Sequence, residues 1–141
     1  MTINTLANLI AFVESDNNPN AMRYEPTYTA SQSNIALLVK AIGCSAWTSR
    51  IILSSSWGLY QIMGENLVNQ GFRGWPGDYC SNSDVQLLHF NEFCESAKIA
   101  YTLDNVINDA SMRLNFATHY NGPANAQAYA DRMLAVYQAH S

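Results

Sequence analysis

Three short stretches carry side chains that could do chemistry: Glu14-Ser15, Gly58-Leu59-Tyr60-Gln61-Ile62-Met63 and His119-Tyr120-Asn121-Gly122-Pro123. Glu14 directly follows Val13, the last residue of an apolar helical face, so its carboxyl stands at the negative end of a helix macrodipole. The charged form is disfavoured there and stability would prefer Lys or Arg, which invites a functional reading beyond that of a solvated surface acid. Gln61 offers a donor and an acceptor on one planar group, a device suited to the hydroxyl or N-acetyl groups of a sugar. Gly58 lets the backbone take positive φ or approach a ligand closely. The plainer reading of Ser54–Gly64 is a small-residue turn leading into a helix. Leu59, Ile62 and Met63 would form its apolar face, with Gln61 in its first turn.

The elements that must hold these stretches follow from hydrophobic spacing. Leu6, Leu9, Ile10 and Val13 recur at i, i+3, i+4 and i+7, which predicts a helix over residues 3–15. Asp16-Asn17-Asn18-Pro19-Asn20 ends it, because Asn and Asp favour turns and Pro19 pushes Asn18 into extended space. Residues 22–28, with Tyr24 and Tyr28, read as a short strand or extended arm. Ile35, Leu38, Val39 and Ile42 predict a helix from Ser31 that stops at Gly43. Residues 47–53 are apolar and fit either helix or strand, and the helix after Gly58 is expected to reach Asn69. Three glycines and a proline make Gln70–Asp78 a loop. Ser83 with Gln86 reads as a capping box before a helix carrying Leu87, Phe90, Phe93 and Cys94 inward. Helices are predicted over 103–108 and 110–119, and a last one is expected to begin at Pro123, with Tyr129, Met133, Val136 and Tyr137 inward.

With 141 residues the chain is long enough for one core, and a single domain over 1–141 is expected, with no repeat, linker or low-complexity run. Only seven basic residues, scattered through a chain of net charge -4, argue against nucleic acid as a partner, since phosphate contacts need clustered Lys and Arg. Cys44, Cys80 and Cys94 are an odd count without metal spacing, and read as buried thiols. His119 lacks a partner at metal spacing, so no cofactor is expected. No apolar run approaches the ~20 residues of a membrane span, and Glu14 and Asp16 cut short the N-terminal one, which has no basic region before it. Neither a signal peptide nor stable membrane association is expected.

Taken in order, the three stretches resemble the goose-type lysozyme and soluble lytic transglycosylase superfamily. Glu14-Ser15-Asp16-Asn17-Asn18-Pro19-Asn20-Ala21 looks like its first motif, Glu-Ser followed by Asn-Pro-x-Ala. Gly58-Leu59-Tyr60-Gln61-Ile62-Met63 looks like Gly-Leu-Met-Gln-Ile-Met, and Tyr120-Asn121-Gly122-Pro123 looks like the third motif, which lies near the C-terminus in the family as here. Arg23-Tyr24-Glu25-Pro26-x-Tyr28 and the Tyr120–Ala124 segment also resemble phage-encoded muramidases. The resemblance spans residues 14 to about 137. It implies an α+β, predominantly helical, lysozyme-like fold and cleavage of the β-1,4 bond between N-acetylmuramic acid and N-acetylglucosamine in peptidoglycan. Glu14 would be the general acid, a role that needs a carboxyl still neutral at the working pH. Gln61, Tyr120 and Asn121 match residues that line the sugar cleft.

Other candidates are more local. Ser15 and Ser56 stand beside the motifs, although hydroxyls so placed also serve as turn or cap groups. Tyr24, Tyr28, Tyr60, Trp57 and Trp75 could stack on sugars or pack in the core. Of the possible second carboxylates, Asp16 reads as a local capping acid. Glu25 sits in an arm that could bend back over a cleft, with Arg23 nearby, or could be an ion-paired surface residue. Hydrolysis needs such a partner at a defined separation, whereas a lytic transglycosylase works with one Glu and leaves a 1,6-anhydro end. The chain departs from the transglycosylase pattern in setting Gly58 44 positions after Glu14, with a whole helix between them. The implied setting is a monomeric phage endolysin or virion-borne lysin. It would be made in the bacterial cytoplasm and reach the wall by holin-type release or injection. The alternatives are a glycan-binding or structural module without turnover, and a chitin-cleaving relative.

Overall fold

The computed structural model describes residues 2–140, so the expected domain bounds of 1–141 reach one residue further at each end. Helix α1 (Leu6–Ser15) buries Leu6, Leu9, Ile10, Ala11 and Val13 on the stripe that the periodicity marks. The side chain of Thr5 caps its start, and Asp16 ends it in left-handed conformation at φ 53°. Three antiparallel strands follow in the order β1 (Met22–Tyr24), β2 (Ser55–Trp57) and β3 (Ile62–Met63). Arg23 pairs with Ser56 across β1 and β2, and Ser56 with Met63 across β2 and β3.

Between β1 and β2 lie α2 (Gln32–Ile42) and α3 (Ala46–Leu53), so the segment of ambiguous pattern is helical. Their axes differ by 114° across Gly43, which closes α2 at φ 69°. After β3 come α4 (Gly64–Asn69), α5 (Pro76–Cys80) and α6 (Ser83–Glu95). Then follow α7 (Leu103–Asn108), α8 (Ala110–Asn121) and α9 (Ala126–Ala139). The larger core gathers α1 with Tyr79, Phe90, Val106, Phe116, Tyr129 and Met133. A smaller one gathers Ala30, Ile35, Leu38, Leu53 and Val68. Helix α4 joins the two by sending Leu67 into the first and Val68 into the second. The predominantly helical α+β expectation is met.

Several local readings are corrected. Gly58–Gln61 is the turn of a hairpin between β2 and β3, and α4 begins only at Gly64. Leu59, Ile62 and Met63 mimic helical spacing, but Gly58 and Gln61 both have positive φ, at 76° and 50°, and turn the chain back. The helix after Asn82 is capped by Asn82, whose Oδ1 accepts from the Val85 amide at 3.2 Å, so no Ser83–Gln86 capping box forms. Gln86 is instead buried, while Leu87, expected inside, is exposed. The loop reading of 70–78 fails at its end, where Pro76 opens α5. Pro123 lies in the turn before α9, which starts at Ala126.

Candidate active site

The turn 58–61 is the point on which the three chemistry-bearing stretches converge. Ser15 Oγ, at the end of α1, donates to the Leu59 carbonyl at 2.8 Å. The Tyr120 hydroxyl, near the end of α8, donates to the Tyr60 carbonyl. Gln61 Nε2 donates to the carbonyls of Gly58 at 3.0 Å and Ala21 at 3.2 Å. Glu14 and Asn121, neighbours of Ser15 and Tyr120, are therefore held against the same backbone.

Gln86 supports the turn from beneath. Its Oε1 accepts from the Leu59 amide at 2.7 Å, and its Nε2 donates to the carbonyls of Pro19 at 3.3 Å and Cys80 at 3.1 Å. A Cβ on Gly58 would stand 2.2 Å from that oxygen, so the glycine is needed for close approach as well as for its φ. Sequence reasoning gave Gln86 a capping role, because nothing in the local pattern marks a polar residue as buried.

Around this hub lies a cleft of about 480 Å³ bounded by Glu14, Arg23, Glu25, Thr27, Tyr28, Ser56, Gln61, Met63, Tyr120 and Asn121. The structure thus brings Glu14, Glu25, Ser56, Gln61, Tyr120 and Asn121 together. Tyr24 is not among the lining residues. Strand alternation gives its neighbours Arg23 and Glu25 to the cleft, and Tyr28 is the aromatic on that wall. Asp16 does not line it either. Ser56 Oγ is turned to Met63 Sδ at 3.2 Å, and Gln61 spends its donors on backbone carbonyls, which leaves its Oε1 to offer the cleft.

Glu14 is half-buried, and its Oε2 accepts from the Tyr129 hydroxyl at 2.5 Å. Burial raises its carboxyl above the ordinary value. The Tyr129 bond and the charges of Arg132 and Arg23 oppose this without cancelling it. Burial and the nearby Glu14 raise the Tyr129 phenol well above its ordinary range, so it stays a donor. Across the cleft, the Glu25 carboxylate is ion-paired with Arg23 at 3.1 Å. The wall carrying Tyr28 is fixed by buried Glu65, which accepts from the Ser31 amide at 2.8 Å, from Asn34 Nδ2 at 2.8 Å and from the Tyr28 side chain.

This arrangement presents one carboxyl raised by burial and one ion-paired carboxylate to an open, polar cleft. Among the described residues, no three His, Cys, Asp or Glu side chains are placed to hold a metal ion. No helix there is long and apolar enough to cross a membrane alone. Cys44, Cys80 and Cys94 are free thiols, the first buried and the others half-buried.

A family profile described as N-acetylmuramidase matches residues 5–141. The chain is also similar to the endolysin of Enterobacteria phage PRD1, with 35% identity over 144 residues that cover 95% of each chain. No solved structure gives a significant match. The relation to phage-type muramidases expected from the three motifs is met.

Proposed function

The chain belongs to the N-acetylmuramidase family, and within it we propose that Glu14 is the general acid of a hydrolytic cleavage in which Glu25 supplies the second carboxylate. The enzyme is a peptidoglycan-degrading glycosidase of the phage lysin type, cleaving the glycan at N-acetylmuramic acid. A glycan strand lies along the cleft with its scissile oxygen at Glu14. The observation that carries the assignment is the burial of Glu14 on the cleft wall, which raises its carboxyl above the ordinary value while the Tyr129 hydroxyl fixes Oε2 and leaves Oε1 to face the sugar.

As the β-1,4 bond to N-acetylglucosamine breaks, Glu14 protonates the leaving oxygen and positive charge develops on the muramic ring. Glu25, oriented by Arg23, faces that charge or the water that quenches it. Gln61, Asn121 and Tyr28 supply contacts to hydroxyl and acetyl groups and a sugar face. Tyr120 and Ser56 act through the turn and the ladder that hold them. The chain works as one catalytic domain and as a monomer. It reaches the wall after release from the cytoplasm or as part of a virion.

Mass spectrometry of purified peptidoglycan after digestion tests this. Muramic acid at free reducing ends, heavier by one water than the anhydro form, is the expected product. 1,6-Anhydro ends would make the reaction a lytic transglycosylation and reduce Glu25 to a binding group. Bound glycan without any product would mean a carbohydrate-binding module.

A further inference from the structure

On the other side of Glu14 a second cavity, of about 290 Å³, opens beside the cleft. The two share Glu14, Arg23 and Asn121, so a ligand filling the cleft can extend into it, where it would meet Asn125, Tyr129 and Arg132. Three of its polar side chains are unspent. Among the described residues, the side chains of Asn121, Asn125 and Arg132 make no hydrogen bond or ion pair within the protein, and Asn125 does not cap the helix it precedes.

Charge is distributed unevenly around this cavity. The chain has only seven basic residues and a net charge of -4. Arg73 and Arg113 are used to bond backbone carbonyls, yet Arg23 and Arg132 both stand beside Glu14. Their charges favour the ionised form of Glu14, which works against a proton donor. Arg23 is accounted for by its ion pair with Glu25, but an arrangement serving the proton alone would omit Arg132.

We propose that Arg132, with Asn125 and Asn121 beside it, binds a carboxylate carried by the muramic acid side of the glycan, either the free lactyl group of an unsubstituted muramic acid or the peptide stem where one is attached. The inference rests on the glycan occupying the cleft. A guanidinium meets a carboxylate through two parallel N–H groups, and the two amides can donate alongside. A carboxylate seated there offsets the charge of Arg132, so Glu14 holds its proton more firmly with substrate bound than without.

The test compares wild type, Arg132→Gln and Arg132→Lys on three glycans: native and stem-bearing, stripped of peptide by an amidase, and native with every carboxyl converted to an amide. Circular dichroism melts verify that each variant folds. Arg132→Gln should raise KM on native glycan about tenfold, with Arg132→Lys recovering part of the loss. On the amidated glycan, wild type should fall to the level of the variant. A loss confined to stem-bearing glycan assigns the stem, and one larger on stripped glycan, where the amidase has freed the lactyl carboxyl from its amide, assigns the lactyl carboxylate. An equal penalty on native and amidated glycan overturns the inference, as does a change seen only in the pH profile of kcat. Absence of cleavage by wild type, or full cleavage by Glu14→Gln, would remove the underlying reading as well, which normal cleavage indifferent to Arg132 would not.

Discussion

Glu14 meets two opposing influences that can be separated by substitution. Burial raises its carboxyl, while the hydrogen bond from Tyr129 stabilises its charged form. Tyr129→Phe should therefore move the basic limb of the pH–rate profile to higher pH. It should also cost about 1–3 kcal/mol of stability, because a buried acceptor loses its donor. A limb that stays in place would separate Tyr129 from the acid. Stability gives a second handle on the same proton. The folded chain holds it to a higher pH than the unfolded chain, whose value is near 4.5, so stability from this group is complete in acid and lost as pH rises through the folded value. Glu14→Gln should melt higher than wild type at neutral pH and lose that advantage below about pH 4.5. Residue identity made Glu14, Gln61 and Asn121 legible, because motif order alone marks them. Tyr24 lies off the cleft lining, because a loosely alternating arm does not reveal which of its two faces meets the cleft.

At the scale of elements, the hairpin turn 58–61 sets the relative positions of α1, α8 and the sheet. Gln86 holds that turn without touching the cleft. Gln86→Met leaves the Leu59 amide and two carbonyls without their partner, and should cost about 2 kcal/mol in urea denaturation while lowering kcat. A variant as active as wild type would mean that the turn positions nothing. Glu65 has the matching part on the opposite wall. Glu65→Ala strips Ser31, Asn34 and Tyr28 of a shared acceptor and should raise KM, with a stability loss of about 1–3 kcal/mol. Helices α1, α2, α6 and α9 were readable from periodicity because each buries one stripe. The hairpin was not. Its strands span three and two residues, too short for alternation to register, and buried Ser54, Ser55 and Ser56 carry no hydrophobic signal.

For the molecule as a whole, the cleft depends on two cores that meet through α4. Gly64 packs against α3 so closely that a Cβ there would stand 2.1 Å from the Ile52 carbonyl oxygen. Gly64→Ala should lower the melting temperature of the entire chain, with tryptophan fluorescence and far-ultraviolet circular dichroism falling together. Trp57 packs against the larger core and donates from its ring nitrogen to the Ile52 carbonyl of α3, so a fluorescence transition apart from that of the circular dichroism would mean that the two cores unfold separately. The long interval between Glu14 and Gly58, which sets the chain apart from the transglycosylase pattern, supplies all of that smaller core's buried residues but Val68. Its folding brings Glu25 and Tyr28 to face Glu14. The central claim is that this assembly cleaves peptidoglycan with Glu14 as the proton donor. The most direct measurement is the rate of reducing-end release from purified peptidoglycan by Glu14→Gln, checked for folding by its melt. A proton donor at Glu14 requires a loss of about 10²–10⁴-fold in a protein that is folded and still binds glycan. Release at the wild-type rate by that folded variant would contradict it.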